Sequence, residues 1–226
     1  PGAMGCLLAA AADRDPGVAR AALGALRLVG GDAEVEAVAR MAAAGNPDAA
    51  TALKAMASRA RDRRAVSRTL AALAQAADTR GRIALLDAMS SAGGLEALNL
   101  ATKLAGKTDE TLQTGDVRAL SNWAEFEAVR PLLAIAGSAS APPAHRILAI
   151  RGIARLIVSG TGATPDQRVT AALEALKIAP RNEEKKLLLP ALASVPNPRA
   201  LAALEPLLSD PGLGDEAAFA LATLAE

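Results

Sequence analysis

The chain of 226 residues carries 25 basic and 24 acidic side chains, so its formal net charge is +1. A charge this small provides no general attraction to nucleic acid or to an anionic membrane surface, and no apolar run reaches the roughly 18 residues of a membrane span. Aromatic residues make up 1% of the chain, and its single cysteine, Cys6, excludes an internal disulfide and a cysteine-based metal site. An alanine-rich core with almost no rings favours close-packed helices over a β-sheet.

The first half of the chain predicts helices that begin at a capping residue. Residues 1–5 are expected to include a cloning remnant, and residues 5–12 predict a short helix. Asp15-Pro16 and Asn46-Pro47 each place a capping side chain before a proline at the first helical position, which is a favoured helix start. The predicted helices that follow occupy residues 16–29, 32–44, 47–59, 62–77, 78–92 and 95–105.

The second half predicts a less regular stretch and then clearer helices. Residues 108–114 predict a turn or loop, residues 116–122 a short helix and residues 125–136 a longer one. A loop of small residues at 137–143 leads to a helix over 144–157 with one apolar stripe, formed by Ile147, Ile150, Ile153, Ala154 and Ile157. Further helices are predicted at 166–179, 182–193, 197–208 and 215–225.

Helix pairs recur along the whole chain. Their starts lie near residues 15, 46, 78, 114, 143, 182 and 214, at steps of 29 to 39 residues. A pair that is apolar on one face of each helix buries those faces only by stacking on further copies. We therefore expect one repeat domain over residues 1–226. The half unit at each end leads us to expect a piece of a longer protein, or a last helix that meets a partner.

The repeat motif resembles that of HEAT repeats. It consists of Asp15-Pro16 followed by apolar residues at set intervals: Val18, Ala22, Leu23 and Leu26. The resemblance implies an all-α fold, a right-handed α-α superhelix of about six stacked helix pairs of the HEAT-like or armadillo type. The motifs of tetratricopeptide and ankyrin repeats are not met.

A second resemblance covers residues 117–208 and is to HEAT-repeat modules of large multidomain bacterial proteins. It is carried by residues 117–123, 131–133, 145–152 and 197–201, although Ala124 stands where a proline is usual. The resemblance implies a non-enzymatic protein–protein interaction scaffold, a module of a longer bacterial protein. The partner would be another protein or a neighbouring domain of the same polypeptide. Such modules often occur in exported proteins, and no catalytic residue is transferred by the likeness.

Two features are candidates for binding a partner. The first is a basic run at the start of a predicted second helix, formed by Arg59, Arg61, Arg63, Arg64 and Arg68. The alternative is a solvated turn whose arginine stems cover apolar surface. The second is Trp123, which is either an exposed anchor at an interface or a filler of the alanine-rich core.

The sequence predicts no catalytic, cofactor-binding or metal-binding residue. His145 and Cys6 are single and far apart, so neither predicts a metal site, and His145 is expected to form a capping or inter-repeat hydrogen bond. Two alternatives to the scaffold stay open. One is a HEAT-like DNA glycosylase or nucleic-acid binder that uses the Arg59–Arg68 region, and the other is a lyase or chaperone for a tetrapyrrole. Nucleic acid is not the expected partner, because the net charge is too small.

Overall fold

The computed structural model describes residues 2–104 and 110–225. Within these ranges the chain forms fourteen α-helices and three short 3-10 turns and no β-strand, only an isolated bridge between Glu125 and Thr161. The helices pack into two compact units, Pro1–Asn122 and Trp123–Glu226. In the described part no helix is both long enough and apolar enough to cross a membrane.

The first unit contains eight helices in two rows. They are α1 (Ala3–Ala11), α2 (Pro16–Val29), α3 (Val35–Ala43), α4 (Pro47–Ser58), α5 (Arg63–Ala76), α6 (Thr79–Ala92), α7 (Leu95–Leu104) and α8 (Glu110–Ser121). In the first row α2 packs on α4, α4 on α6 and α6 on α8, while α3, α5 and α7 pack in sequence in the second row. Each second-row helix therefore contacts its counterparts in the neighbouring pairs.

The second unit repeats this arrangement with six helices. They are α9 (Val129–Gly137), α10 (Pro143–Ser159), α11 (Pro165–Ile178), α12 (Asn182–Ala193), α13 (Pro198–Leu204) and α14 (Gly214–Ala225). Here α10, α12 and α14 pack in one row, and α9, α11 and α13 in the other. The predicted all-α fold of packed helix pairs is confirmed.

Side-chain caps fix where the helices begin. The carboxylate of Asp15 accepts hydrogen bonds from Gly17 N and Val18 N, and the Asn46 side chain does the same for Asp48 N and Ala49 N. These bonds satisfy amides that have no partner inside the helix. Further side-chain caps stand before α5, α6, α11 and α13 and are formed by Asp62, Asp78, Thr164 and Asn197.

Polar contacts link side chains about one repeat apart, within each unit. Arg20 pairs with Asp48 at 3.2 Å and Arg68 with Glu96 at 2.7 Å, and both pairs are 28 residues apart. Lys54 pairs with Asp87, 33 residues away, and Asn197 donates to Asp166, 31 residues away. These separations of 28 to 33 residues are close to the shorter of the repeat steps predicted from the sequence.

The predicted unit starts agree with the structure at six of seven positions. Helices α2, α4, α6, α10, α12 and α14 begin within one residue of the predicted starts. The exception is α8, which begins at Glu110 rather than near 114. Of the loop predicted at 108–114, residues 108 and 109 lie outside the described residues and the rest is helical. The expectation of one repeat domain over residues 1–226 stays a prediction.

Four other boundaries need correction. The helix predicted over 32–44 begins as a 3-10 turn at Asp32–Glu34, which precedes α3. The helix predicted over 125–136 is split, because Phe126 N donates to Thr161 O and a 3-10 turn at Phe126–Ala128 precedes α9. The helix predicted over 197–208 ends at Leu204 and continues as a 3-10 turn, where Pro206 has no amide to donate. Helix α1 begins at Ala3, inside the segment expected to include a cloning remnant.

Candidate functional site

Three of the five candidate arginines lie beside the same groove. Helix α5 carries Arg63, Arg64 and Arg68, all exposed, on the side that faces α7. Arg59 is used elsewhere, since its guanidinium donates to Arg27 O at 2.7 Å, at the end of α2. Arg61 stands in the turn between α4 and α5. The structure therefore divides the predicted basic run into a structural part and a part that can meet a ligand.

A single carboxylate holds the turn that leads into α5. Asp32 accepts hydrogen bonds from Arg61 N at 3.1 Å and from Asp62 N at 2.8 Å. The Asp62 carboxylate in turn accepts from Ala65 N at 2.9 Å and caps α5. These bonds place the first turn of α5, and with it Arg63 and Arg64, against the start of α7.

Two glycines form the opposite wall. Helix α6 ends at Ala92 and is capped by Gly93 with φ 68°, and Gly94 follows with φ 90° before α7 starts at Leu95. Positive φ angles at both positions require glycine. A side chain at Gly94 would meet nothing within 4 Å, so the backbone here borders open space. The sharp turn leaves the N-terminal end of α7 facing the arginines.

Between the two helices is an open groove of about 430 Å³, which we call the α5–α7 groove. Its lining residues are Arg63, Arg64, Ser67, Gly93, Gly94, Leu95, Glu96, Ala97 and Asn99. Arg68 lies at its margin, bound to Glu96. The lining contains two arginines, one carboxylate and no aromatic ring.

Glu96 is the counter-ion of two arginines. Its carboxylate lies 2.7 Å from Arg68 Nε and 3.6 Å from Arg64 Nε. The two arginine side chains are 67% and 80% exposed, so each pair contributes only about 0–1 kcal/mol in water. Two guanidinium groups thus share one carboxylate, and both remain largely open to solvent.

Ser67 is an unusual hydroxyl within this lining. It is 1% exposed, and its Oγ has no hydrogen-bond partner among the described residues. Helical serines elsewhere in the chain donate to a carbonyl of the preceding turn, as Ser58 does to Ala55 O and Ser90 to Asp87 O. Leaving a buried hydroxyl unpaired costs about 1–3 kcal/mol, so this one requires an explanation.

Trp123 does not present its ring to solvent. It is 0% exposed, and its Nε1 has no hydrogen-bond partner among the described residues. The guanidinium of Arg155 donates to the Trp123 carbonyl, and partial burial lowers the pKa of Arg155. The structure thus corrects the candidate binding role of Trp123, because a fully buried ring cannot anchor a partner, and it supports the packing alternative.

The other single residues lie apart from the groove. His145 is buried on α10 and Cys6 is exposed on α1. The described residues contain no group of three or more histidine, cysteine, aspartate or glutamate side chains that could hold a metal ion.

Sequence reasoning missed Ser67, Glu96 and the start of α7 as parts of the site. A signal for Glu96 was present, because Arg20 and Asp48 stand at the same 28-residue spacing as Arg68 and Glu96. Nothing in the local sequence distinguishes Ser67 from a serine that bonds to its own helix. Its unpaired state depends on packing.

Comparison with known proteins adds likenesses to solved structures. No family model matches the chain, and no curated protein matches it. A solved structure of human deoxyhypusine hydroxylase in complex with glycerol is similar over 98% of this chain and 96% of that chain. The identity is 15% and the TM-score 0.40, so the likeness transfers no substrate and no residue role.

The comparison contradicts what the sequence led us to expect of function. We expected a non-enzymatic interaction scaffold, or alternatively a DNA glycosylase or nucleic-acid binder, and we expected no enzyme. The matched structure is that of an enzyme, a deoxyhypusine hydroxylase. The expectation of a non-enzymatic scaffold is therefore withdrawn.

Proposed function

We propose that the α5–α7 groove binds an acidic segment of a polypeptide, which belongs to another protein or to a neighbouring domain of the same chain. The observation that carries this proposal is the charge imbalance of the site: Arg63, Arg64 and Arg68 lie beside a groove whose lining has a single carboxylate, that of Glu96. Guanidinium groups bind carboxylates in a bidentate geometry and lose less hydration than lysine does.

The internal ion pairs leave Arg64 and Arg68 available to a ligand. Because both pairs are solvent-exposed, an incoming carboxylate exchanges with Glu96 at little cost. The cap on α5 and the Asp32 bonds to the preceding turn hold the helix start in place, so little backbone order has to be gained on binding.

The site favours a polypeptide over a nucleic acid. Binding to a phosphate backbone depends on many cationic contacts, whereas this chain has a net charge of +1 and three arginines at the groove. Single-stranded nucleic acids also stack on aromatic side chains, and the groove lining has none.

The proposal is compatible with catalysis. A groove that holds an acidic segment positions a protein substrate as readily as it holds an assembly partner. The likeness of residues 117–208 to HEAT-like modules of multidomain bacterial proteins supports a partner domain on the same polypeptide.

Fluorescence anisotropy with a short labelled peptide of glutamate and glycine tests the proposal. In about 150 mM salt, where long-range attraction is screened, we expect the wild-type chain to bind the peptide and Arg64→Ala/Arg68→Ala to raise its Kd about tenfold or more. A labelled DNA strand of equal charge is the competing probe, and we expect it to bind more weakly.

Arg20→Ala is the matched control. Arg20 also forms an exposed ion pair with an acid 28 residues away, but it lies outside the groove. We expect its Kd to equal that of the wild type. The proposal fails if the double substitution leaves the Kd unchanged, if Arg20→Ala weakens binding equally, or if DNA binds more tightly than the peptide.

A further inference from the structure

A second groove of the first unit lies on its first row of helices, over α6 and between α4 and α8. Its volume is about 310 Å³, and we call it the α4–α6–α8 groove. Its charged lining residues are Lys54 on α4, Arg80 and Asp87 on α6, and Arg118 on α8. The lining thus contains three cations and one carboxylate, and the volume is at the lower end of the range for small-molecule sites.

Two of the three cations in this groove lack a counter-ion. Lys54 and Asp87 neutralise each other, because the Lys54 Nζ lies 3.1 Å and 2.9 Å from the two carboxylate oxygens. Arg80 and Arg118 are exposed, and their guanidinium groups form no hydrogen bond or ion pair in the described part of the chain. The groove therefore keeps two positive charges, in contrast to the α5–α7 groove, where two arginines share Glu96.

A close contact between α6 and α8 separates the two arginines. A Cβ built on Gly115 would stand 2.5 Å from Ile83 Cγ1, so the absence of a side chain there permits the approach. Arg80 precedes Ile83 by about one turn, and Arg118 follows Gly115 by about one turn. Since α7 returns the chain between them, α6 and α8 run in the same direction. The arginines thus lie on opposite sides of the contact, about 9 Å apart along the helices.

We propose that the α4–α6–α8 groove binds a small organic dianion that has a carboxylate at each end of an apolar chain. Arg80 binds one carboxylate, Arg118 binds the other, and the chain between them lies on the side chain of Ile83. The site is separate from the α5–α7 groove, and the two share no lining residue. It therefore does not depend on the proposed function.

The charge and polarity of the lining favour this class of ligand. Guanidinium groups bind carboxylates in a bidentate geometry, and two carboxylates match two unpaired cations. Two phosphoryl groups, each with a charge of about −1.5 to −2, would bring an excess of negative charge beside Asp87. The apolar residues Ile83, Ala84 and Ala119 also line the groove, and they favour a hydrocarbon chain over a polar linker.

Titration of the full chain with adipate tests the site, and hexanoate is the matched control ligand. Hexanoate is a monocarboxylate with a carbon chain of the same length. The readout is the proton and carbon shifts of the Ile83 methyl groups, which report on the groove itself. We expect adipate to shift them saturably and to bind about tenfold more tightly than hexanoate, because its second carboxylate adds a charge-assisted contact.

Substitution of either arginine should remove this advantage. We expect Arg80→Ala and Arg118→Ala each to weaken adipate binding about tenfold, and hexanoate binding by no more than about twofold, because the monoanion can use the remaining arginine. Arg130→Ala is the control, since Arg130 is also exposed and unpaired among the described residues but lies on α9, in the other unit. It should leave the adipate affinity unchanged, and circular dichroism checks that each variant is folded.

The inference is wrong if adipate binds no more tightly than hexanoate, if either groove substitution leaves the adipate affinity unchanged, or if Arg130→Ala reduces it equally. Loss of acidic-peptide binding in Arg80→Ala/Arg118→Ala would overturn it in favour of a polypeptide ligand. Arg64→Ala/Arg68→Ala, which tests the α5–α7 groove, should leave adipate binding unchanged. Failure of the proposed function is thereby distinguished from failure of this site.

Discussion

Glu184 shows how a single buried charge is tolerated in an alanine-rich core. It lies in the first turn of α12, is 2% exposed, and accepts two hydrogen bonds from the Arg181 guanidinium, one of them from Nε at 3.0 Å. The Arg181 bond holds the pKa of Glu184 below its ordinary value, against the opposing effect of burial. A nearby positive charge, that of Arg151, acts in the same direction.

The lowered pKa makes stability depend on pH. Because the folded chain binds the Glu184 proton less tightly than the unfolded chain does, the stabilisation is complete above the unfolded pKa of about 4.3. It is lost as the pH falls through the lower folded value. We expect Glu184→Gln to reduce the free energy of unfolding at pH 7 by about 1–2 kcal/mol, and by progressively less below about pH 4.

Urea denaturation at a series of pH values measures this difference. Glu183→Gln is the control, because Glu183 is 75% exposed and lies 4.0 Å from the same arginine. We expect it to behave as the wild type does. A Glu184→Gln effect that stays constant down to pH 3 would show that packing, and not the charge, is responsible.

Glycines decide how closely some helices approach each other. Gly81 in α6 lies against α3, and a Cβ built on it would stand 2.2 Å from Ala43 O. A Cβ built on Gly24 in α2 would have nothing within 4 Å of it. Gly81 thus permits the close packing of two helices, whereas Gly24 has no steric role.

This difference predicts opposite effects of the same substitution. Gly81→Ala forces two backbones apart and should destabilise the chain by about 1–3 kcal/mol. Gly24→Ala should stabilise it by about 0.5–1 kcal/mol, because alanine loses less backbone freedom on folding. Urea midpoints at pH 7 measure both, and an equal gain at the two sites would contradict the close approach of α6 to α3.

At the scale of the whole molecule, the distribution of rings is uneven. The three aromatic residues are Trp123, Phe126 and Phe219, so the first unit has none. Its core is filled by alanine, leucine, valine and methionine side chains, such as Leu53, Leu70 and Met89, all 0% exposed. Small side chains let the helix rows pack closely, and stability comes from contacts between neighbouring pairs.

The chain has one tryptophan, Trp123, and no tyrosine. Its fluorescence on excitation of tryptophan therefore comes from Trp123 alone. Because this ring is 0% exposed, we expect emission at short wavelength and little quenching by iodide in the native state. Unfolding in urea should shift the emission to the red and restore quenching. Equal quenching of the native and unfolded chains would contradict the buried position and make Trp123 a binding candidate again.

Much of the helical array follows from local chemistry. The helix caps at Asp15 and Asn46 are local, because the bonds involved join residues two or three apart. The start of α9 could not be predicted from local chemistry, because the bond from Phe126 N to Thr161 O joins residues far apart in sequence. The arginines of the candidate site were predicted from the local excess of basic residues. That Arg59 bonds to the end of α2 while the arginines of α5 lie beside the groove could not be predicted in this way.

The sequence by itself determined the all-α class, the repeat period and most helix starts, since these depend on side-chain periodicity and on caps formed within a few residues. The tertiary structure alone decided that Trp123 is buried, that Glu96 is the counter-ion of Arg64 and Arg68, and that Ser67 lines a groove without a partner among the described residues. Each of these depends on which helix faces which across a repeat. Burial and pairing of that kind come from packing between distant segments. Of the three features only the Arg68–Glu96 pair has a signal in the sequence, its 28-residue spacing.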